Sequence, residues 1–142
     1  MNQLDFDDVQ GLARFGFGSM RQACFYLVRI KDVAVARAWL LAAHVTTART
    51  LDPPPSTALQ IGFTVDGLKA LGVPSEVING FAPEFVAGMT EESRSRRLGD
   101  IGRNHPSCWR WGGRDRIPHL AIMMYGKEDQ MAQCEAEFKG PS

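Results

Sequence analysis

The sequence predicts an α+β fold, a small antiparallel sheet with helices on one face. Three observations carry this. Residues 23–30 (Ala-Cys-Phe-Tyr-Leu-Val-Arg-Ile) form a short run with one charge, rich in aromatic and branched side chains, which is the composition of a strand. A stretch with helical apolar spacing follows at 33–43. Two further runs, 57–64 and 117–125, recover strand character on either side of a polar, helix-like middle.

The chain has 142 residues, enough for one domain that buries roughly 70% of its unfolded surface. We expect a single domain over 1–142, with 1–22 as an N-terminal arm. Hydrophobic residues make up 44%, and 16 basic residues balance 16 acidic ones. No global field favours nucleic acid or an anionic membrane, so neither is an expected partner. Three widely spaced cysteines, Cys24, Cys108 and Cys134, suit a reducing compartment better than a disulfide framework. The acidic start and the lack of any long apolar span point to the cytoplasm.

Taken in order, a Gly-rich lead-in at 11–18 carries Phe15 and Phe17 and reads as an arm. The run at 23–30 is expected to be a central strand, covered on both faces. Asp32 stands where an N-cap belongs, and Val33, Ala36, Trp39 or Leu40 and Ala43 make one apolar stripe of a helix. Asp52-Pro-Pro-Pro-Ser56 continues neither helix nor strand and is a loop. Residues 57–64 set Leu59, Ile61 and Phe63 against Gln60, Gly62 and Thr64, the period of a half-buried strand. Asp66 is positioned to cap a short helix at 67–71, and Pro74-Ser75 starts another. Residues 83–98 read as one helix with Phe85, Val86 and Met89 inward and Glu91, Glu92, Arg94, Arg96 and Arg97 outward. An irregular stretch covers 99–116. The strand at 117–125 is apolar on both faces and therefore interior. A last helix at 128–139 aligns Met131, Cys134 and Phe138 behind an acidic first turn, and Gly140-Pro141 stops it.

The order is strand, helix, strand, helical insertion, strand, helix. It matches the ferredoxin-like βαββαβ motif with its final strand missing. That strand would pair with the first, so the expectation is that 23–30 has one neighbour in the sheet and an open edge on the other side.

A set of local strings then falls in a consistent sequence: Asp8-Val-Gln-Gly11, Val45-Thr-Thr-Ala48, Ala58-Leu-Gln-Ile-Gly-Phe-Thr64 with Gly67-Leu-Lys-Ala-Leu-Gly72, Phe85 with Gly88-Met89, Leu98-Gly-Asp100, Pro106, Trp109 and His119-Leu-Ala-Ile. Together they resemble the N-terminal half of the dye-decolorising (DyP-type) haem peroxidases, across nearly the whole chain. The resemblance implies a ferredoxin-like half of a two-half protein. Such a protein binds haem b mainly through its second half and uses hydrogen peroxide to oxidise dyes and other bulky reductants. It also implies that the distal Asp of a Gly-x-x-Asp-Gly pattern, the distal Arg and the proximal His all lie later than the matched portion. Gly62-Phe-Thr-Val-Asp66-Gly67 imitates that pattern with one residue too many, and Asp66 is read as a helix cap.

Other candidate chemistry is sparse. His44 closes the first helix, His119 opens the third strand, and His105 with Cys108 makes a His-x-x-Cys pair without further donors. The stretch 90–116 interleaves seven arginines with four acids and with Trp109 and Trp111, and it reads as a solvated face. We therefore assign no catalytic, cofactor-binding or metal-binding residue to this chain, and no haem on the chain alone. The expectation is the N-terminal domain of a DyP-type peroxidase, a scaffold inactive by itself. Its partner is either the missing C-terminal haem-binding half or a second copy, attached at the strand edge from Ala23 to Ile30. The rival expectation is a non-catalytic interaction module using the same edge.

Overall fold

A computed structural model describes residues 4–139, apart from the side chains of Gln133, Cys134, Glu137 and Lys139. Three strands, β1 (Gln22–Val28), β2 (Thr57–Phe63) and β3 (Leu120–Gly126), form an antiparallel sheet in the order β1-β3-β2. The helices are α1 (Val33–Ala42), α2 (Val65–Ala70), α3 (Ser75–Ile78), α4 (Pro83–Ala87), α5 (Glu92–Leu98) and α6 (Met131–Lys139). β3 is the middle strand, with Leu120, Ile122 and Met124 buried on one side and half-buried residues on the other. Its interior character was legible in the sequence.

β1 corrects its expectation. Its composition suggests cover on both faces, but Cys24, Tyr26 and Val28 are half-buried while Ala23, Phe25 and Leu27 are exposed. The physical reason is that packing over the sheet covers one face of β1 more than the other, while β3, its neighbour in the sheet among the described residues, flanks its edge and not its faces.

The chain divides into two compact units. The first holds Met1–Tyr26, Ala42–Gly62 and Ile122–Ser142. Gln60 was expected on the polar, outward side of β2, yet its side chain is fully buried. It is satisfied there: Oε1 accepts from the Leu12 N–H at 2.8 Å and Nε2 donates to the Thr46 carbonyl at 2.8 Å. The arm that encloses it is fastened by Gln10. The Gln10 Nε2 donates to the Ile61 carbonyl and its Oε1 accepts from the Ile61 N–H, both at 2.8 Å. A carboxamide thus supplies the donor and acceptor that another strand would bring to β2. An aromatic row, Phe15, Phe17, Tyr125 and Phe25, runs with successive ring centroids 6.5, 5.3 and 5.9 Å apart.

α6 begins at Met131 rather than at Glu128, so the expected acidic first turn lies before the helix. Phe138 packs on Tyr26 at 4.7 Å. The phenol of Tyr26 is pushed up to about 12, chiefly by its hydrogen bond with Cys24, then by burial and by the charges of Cys24 and Glu135. The predicted inward placing of Cys134 and the stop at Gly140-Pro141 lie outside the described residues.

The second unit holds Leu27–Leu41 and Phe63–Ala121. Asp32 caps α1 as read, its Oδ1 accepting from the Val35 N–H at 3.0 Å. Of the expected stripe of Val33, Ala36, Trp39 or Leu40 and Ala43, Val33 is exposed and the others are half-buried, and no residue of α1 is fully buried. Arg37 donates to the Leu71 carbonyl at the C-terminal end of α2 through both Nε and Nη2, a cation answering the negative end of a helix. The cap of α2 is Thr64, not Asp66: its Oγ1 accepts from the Gly67 N–H at 3.1 Å, and Asp66 sits in the first turn. Thr64 wins because β2 delivers it in extended backbone two residues before Asp66, the geometry a cap requires. The helix expected over 83–98 is two helices, broken by Gly88 in left-handed backbone at φ 72°. The break turns Met89 outward, to 52% exposure.

Candidate functional site

Beyond the break at Gly88 the chain enters the segment that lines a cleft of the second unit. There Glu91 caps α5, taking hydrogen bonds from the Ser93 hydroxyl (2.6 Å), the Ser93 N–H (3.1 Å) and the Arg94 N–H (3.0 Å). These bonds favour the carboxylate, the Ser93 hydroxyl most of all, and hold the Glu91 pKa down at about 2. Arg94 was read as outward. It turns back to the carbonyls of Glu84 (2.7 Å) and Gly88 (3.1 Å) and so fixes α5 against the end of α4. At the other end of α5, Gly99 takes φ 79° and the Ser95 hydroxyl closes on the Asp100 carbonyl at 2.9 Å.

The irregular stretch that follows contains two single 3-10 turns, Gly102–Asn104 and Pro106–Cys108. His105 caps the second: its Nδ1 lies 3.2 Å from the Ser107 N–H and 2.8 Å from the Ser107 hydroxyl. Trp109 fixes the loop by donating its indole N–H to the Asn104 carbonyl at 2.8 Å. Gly113 lies so close to Pro106 that a Cβ there would stand 2.5 Å from the Pro106 carbonyl oxygen. Together α5, these turns and residues 113–116 enclose a cleft of about 480 Å³.

The chemistry of the cleft is mixed. Arg96, Arg114 and Arg116 line it together with Glu92, Asp100 and Asp115, and Arg96 is paired with Glu92 at 2.8 Å. Three cations face three anions, so the wall selects neither sign. His105 and Ser107 are within hydrogen-bond reach, yet the nitrogen facing Ser107 is the one that caps the turn, which is a local structural use of both residues. Among the described residues no group of three or more His, Cys, Asp or Glu is placed to hold a metal ion. No described helix is long and apolar enough to cross a membrane.

The histidines considered for iron are placed as follows. His44 is exposed just after α1. His119 is built into the sheet: its N–H donates to the Val28 carbonyl at 2.8 Å and its Nδ1 accepts from the Ile30 N–H at 3.0 Å. Its carbonyl accepts from the Thr64 N–H at 3.1 Å. His105 faces a charged cleft, whereas a haem needs an apolar slot along its macrocycle. Trp111 is 62% exposed and Cys108 is exposed, while Cys24 is half-buried.

The cleft escaped the sequence reading, because Glu91 and Arg94 looked like members of a solvated face. The signal available was Gly88-Met-Thr-Glu91, a breaker followed by an acidic residue ahead of a helical run.

No family model matches the sequence. A dye-decolorizing peroxidase from Exidia glandulosa is 26% identical over 137 residues, which cover 92% of this chain and 25% of the relative. This chain resembles the DyP-type peroxidases. Among solved structures, the fungal DyP-type peroxidase from Auricularia auricula-judae superposes with TM-score 0.68 at 22% identity, covering 98% of this chain and 30% of that one. The DyP-type peroxidase of Anabaena sp. gives TM-score 0.62 at 17% identity, covering 94% and 31%. The chain therefore spans about a quarter to a third of the DyP-type proteins it matches.

Proposed function

We propose that this chain is the N-terminal, ferredoxin-like portion of a DyP-type haem peroxidase. The sheet order β1-β3-β2 supports this, being the order of the first three strands of the ferredoxin-like sheet. The observation that carries the reading is coverage: 98% of the chain superposes on 30% of a DyP-type peroxidase. The complete protein would bind haem and use hydrogen peroxide to oxidise dyes and other bulky reductants. Haem would supply the redox chemistry of that reaction. In this reading the chain supplies no iron ligand and no distal acid. Its residues act as scaffold: His119 joins the end of β1 to the start of β3, Thr64 starts α2 from the end of β2, and Arg37 fixes α1 to α2.

The partner in this reading is the haem-binding portion of the same kind of protein. The experiment is co-expression of the chain with the remaining portion of a DyP-type relative. The two should co-purify with haem and oxidise a dye only when peroxide is added. A chain that neither co-purifies nor supports oxidation, while the relative's own N-terminal portion does both, would contradict the proposal.

A further inference from the structure

The passage from β1 into α1 is held by a side chain and not by the backbone ladder. His119 donates its own N–H to the Val28 carbonyl at 2.8 Å, and two residues further along the chain the Ile30 N–H donates to Nδ1 of the His119 ring at 3.0 Å. The Thr64 N–H donates to the His119 carbonyl at 3.1 Å, so both backbone groups of His119 are engaged as well. The residue is half-buried at this junction. An Nδ1 that accepts from a backbone N–H carries no proton, and the neutral ring then holds its proton on Nε2. The imidazolium carries a proton on both nitrogens and accepts at neither. The ring can therefore satisfy the Ile30 N–H only while His119 is neutral.

We propose that His119 is a proton-operated latch: the neutral ring fixes residues 29–32, the passage from β1 into α1, and protonation releases it. Histidine is the side chain whose charge changes between about pH 5 and 8. The bond needs the neutral form, so it is present at the upper end of that range and lost as pH falls. The charged groups on the surrounding elements are Arg29 and Lys31 after β1, Asp32 at the cap of α1, Asp66 in the first turn of α2, and Asp115 and Arg116 before β3. Cations and anions balance in this set, and among the described residues no carboxylate pairs with the ring to favour its charged form. The backbone bonds of His119 to Val28 and Thr64 do not involve the ring. Release is therefore local: β1 and β3 keep their pairing, and Asp32 keeps its bond to the Val35 N–H.

The test is made by NMR on the full nitrogen-labelled chain. At about pH 8 a scalar coupling should appear across the N–H···N bond between the Ile30 amide nitrogen and Nδ1 of His119, and at about pH 5 it should vanish as the ring shifts become those of imidazolium. Over the same interval the exchange protection of the Ile30 amide should fall at least about tenfold, while that of the His119 amide stays within about threefold. His119→Asn offers a carbonyl oxygen, an acceptor that does not titrate, and should keep Ile30 protection within about threefold between the two pH values. His119→Phe offers no acceptor and should leave the Ile30 amide poorly protected at both. His44 and His105 are kept in every sample, so their titration cancels from the comparison. A coupling that survives on the charged ring, a ring that stays neutral at about pH 5, or an equal fall in protection in His119→Asn would each overturn the proposal. The first two are read on the unsubstituted chain and need no variant to fold. None of these readouts involves haem, so they stand or fall apart from the co-expression result.

Discussion

Glu91 shows how much one residue can differ from its sequence appearance. Among neighbouring charges it looks solvated, yet its carboxylate is the cap that starts α5, held by the Ser93 hydroxyl and two backbone N–H groups. Its pKa in the folded chain is about 2, below the ordinary 4.5. A depressed acid contributes stability above its unfolded value, and that contribution disappears as pH falls from about 4.5 toward about 2. Following the Glu91 side-chain carboxyl by NMR should give a midpoint near the lower value. A midpoint at the ordinary value would remove the cap from the account. Gln60 makes a similar point for buried polarity: a lone polar residue inside a strand pattern reads as the solvent face unless something arrives to pair with it. Here the arm brings the Leu12 N–H, and the loop before β2 brings the Thr46 carbonyl.

At the scale of elements, the junction where β2 passes into α2 holds the closest backbone approach among the glycines of the second unit. A Cβ on Gly67 would lie 2.0 Å from the His119 carbonyl oxygen, with backbone rather than a yielding side chain as the obstacle. Gly67→Ala should therefore cost about 3 kcal/mol, as overpacking against a fixed partner does. Chemical denaturation would show a lowered midpoint, and an unchanged midpoint would mean that α2 is not seated on the start of β3. The strands and α1 were legible because their signals are local: period, composition and a capping Asp32. What misled was non-local. The cap moved from Asp66 to Thr64 because β2 fixes the approach of the chain, and the helix over 83–98 broke because Gly88 takes left-handed backbone that Arg94 then holds from the far side. The apolar character of β1 was read correctly, but it could not say that one face would be less covered than the other. The cleft beside α5 was not legible at all, since it is assembled from turns without periodicity.

At the scale of the molecule, the chain combines a three-strand sheet in the order β1-β3-β2 among the described residues with a likeness to proteins three to four times its length. Its histidines occupy structural or exposed positions, and its cleft is electrically balanced, so the proposed role is architectural and the chemistry belongs to the portion that completes it. The most direct measurement is a haemin titration of the purified chain followed in the Soret region. The account predicts no stoichiometric, ligand-shifted band, and no change on replacing His44, His105 or His119 by alanine. A stoichiometric band that vanishes in one of those three variants would contradict it.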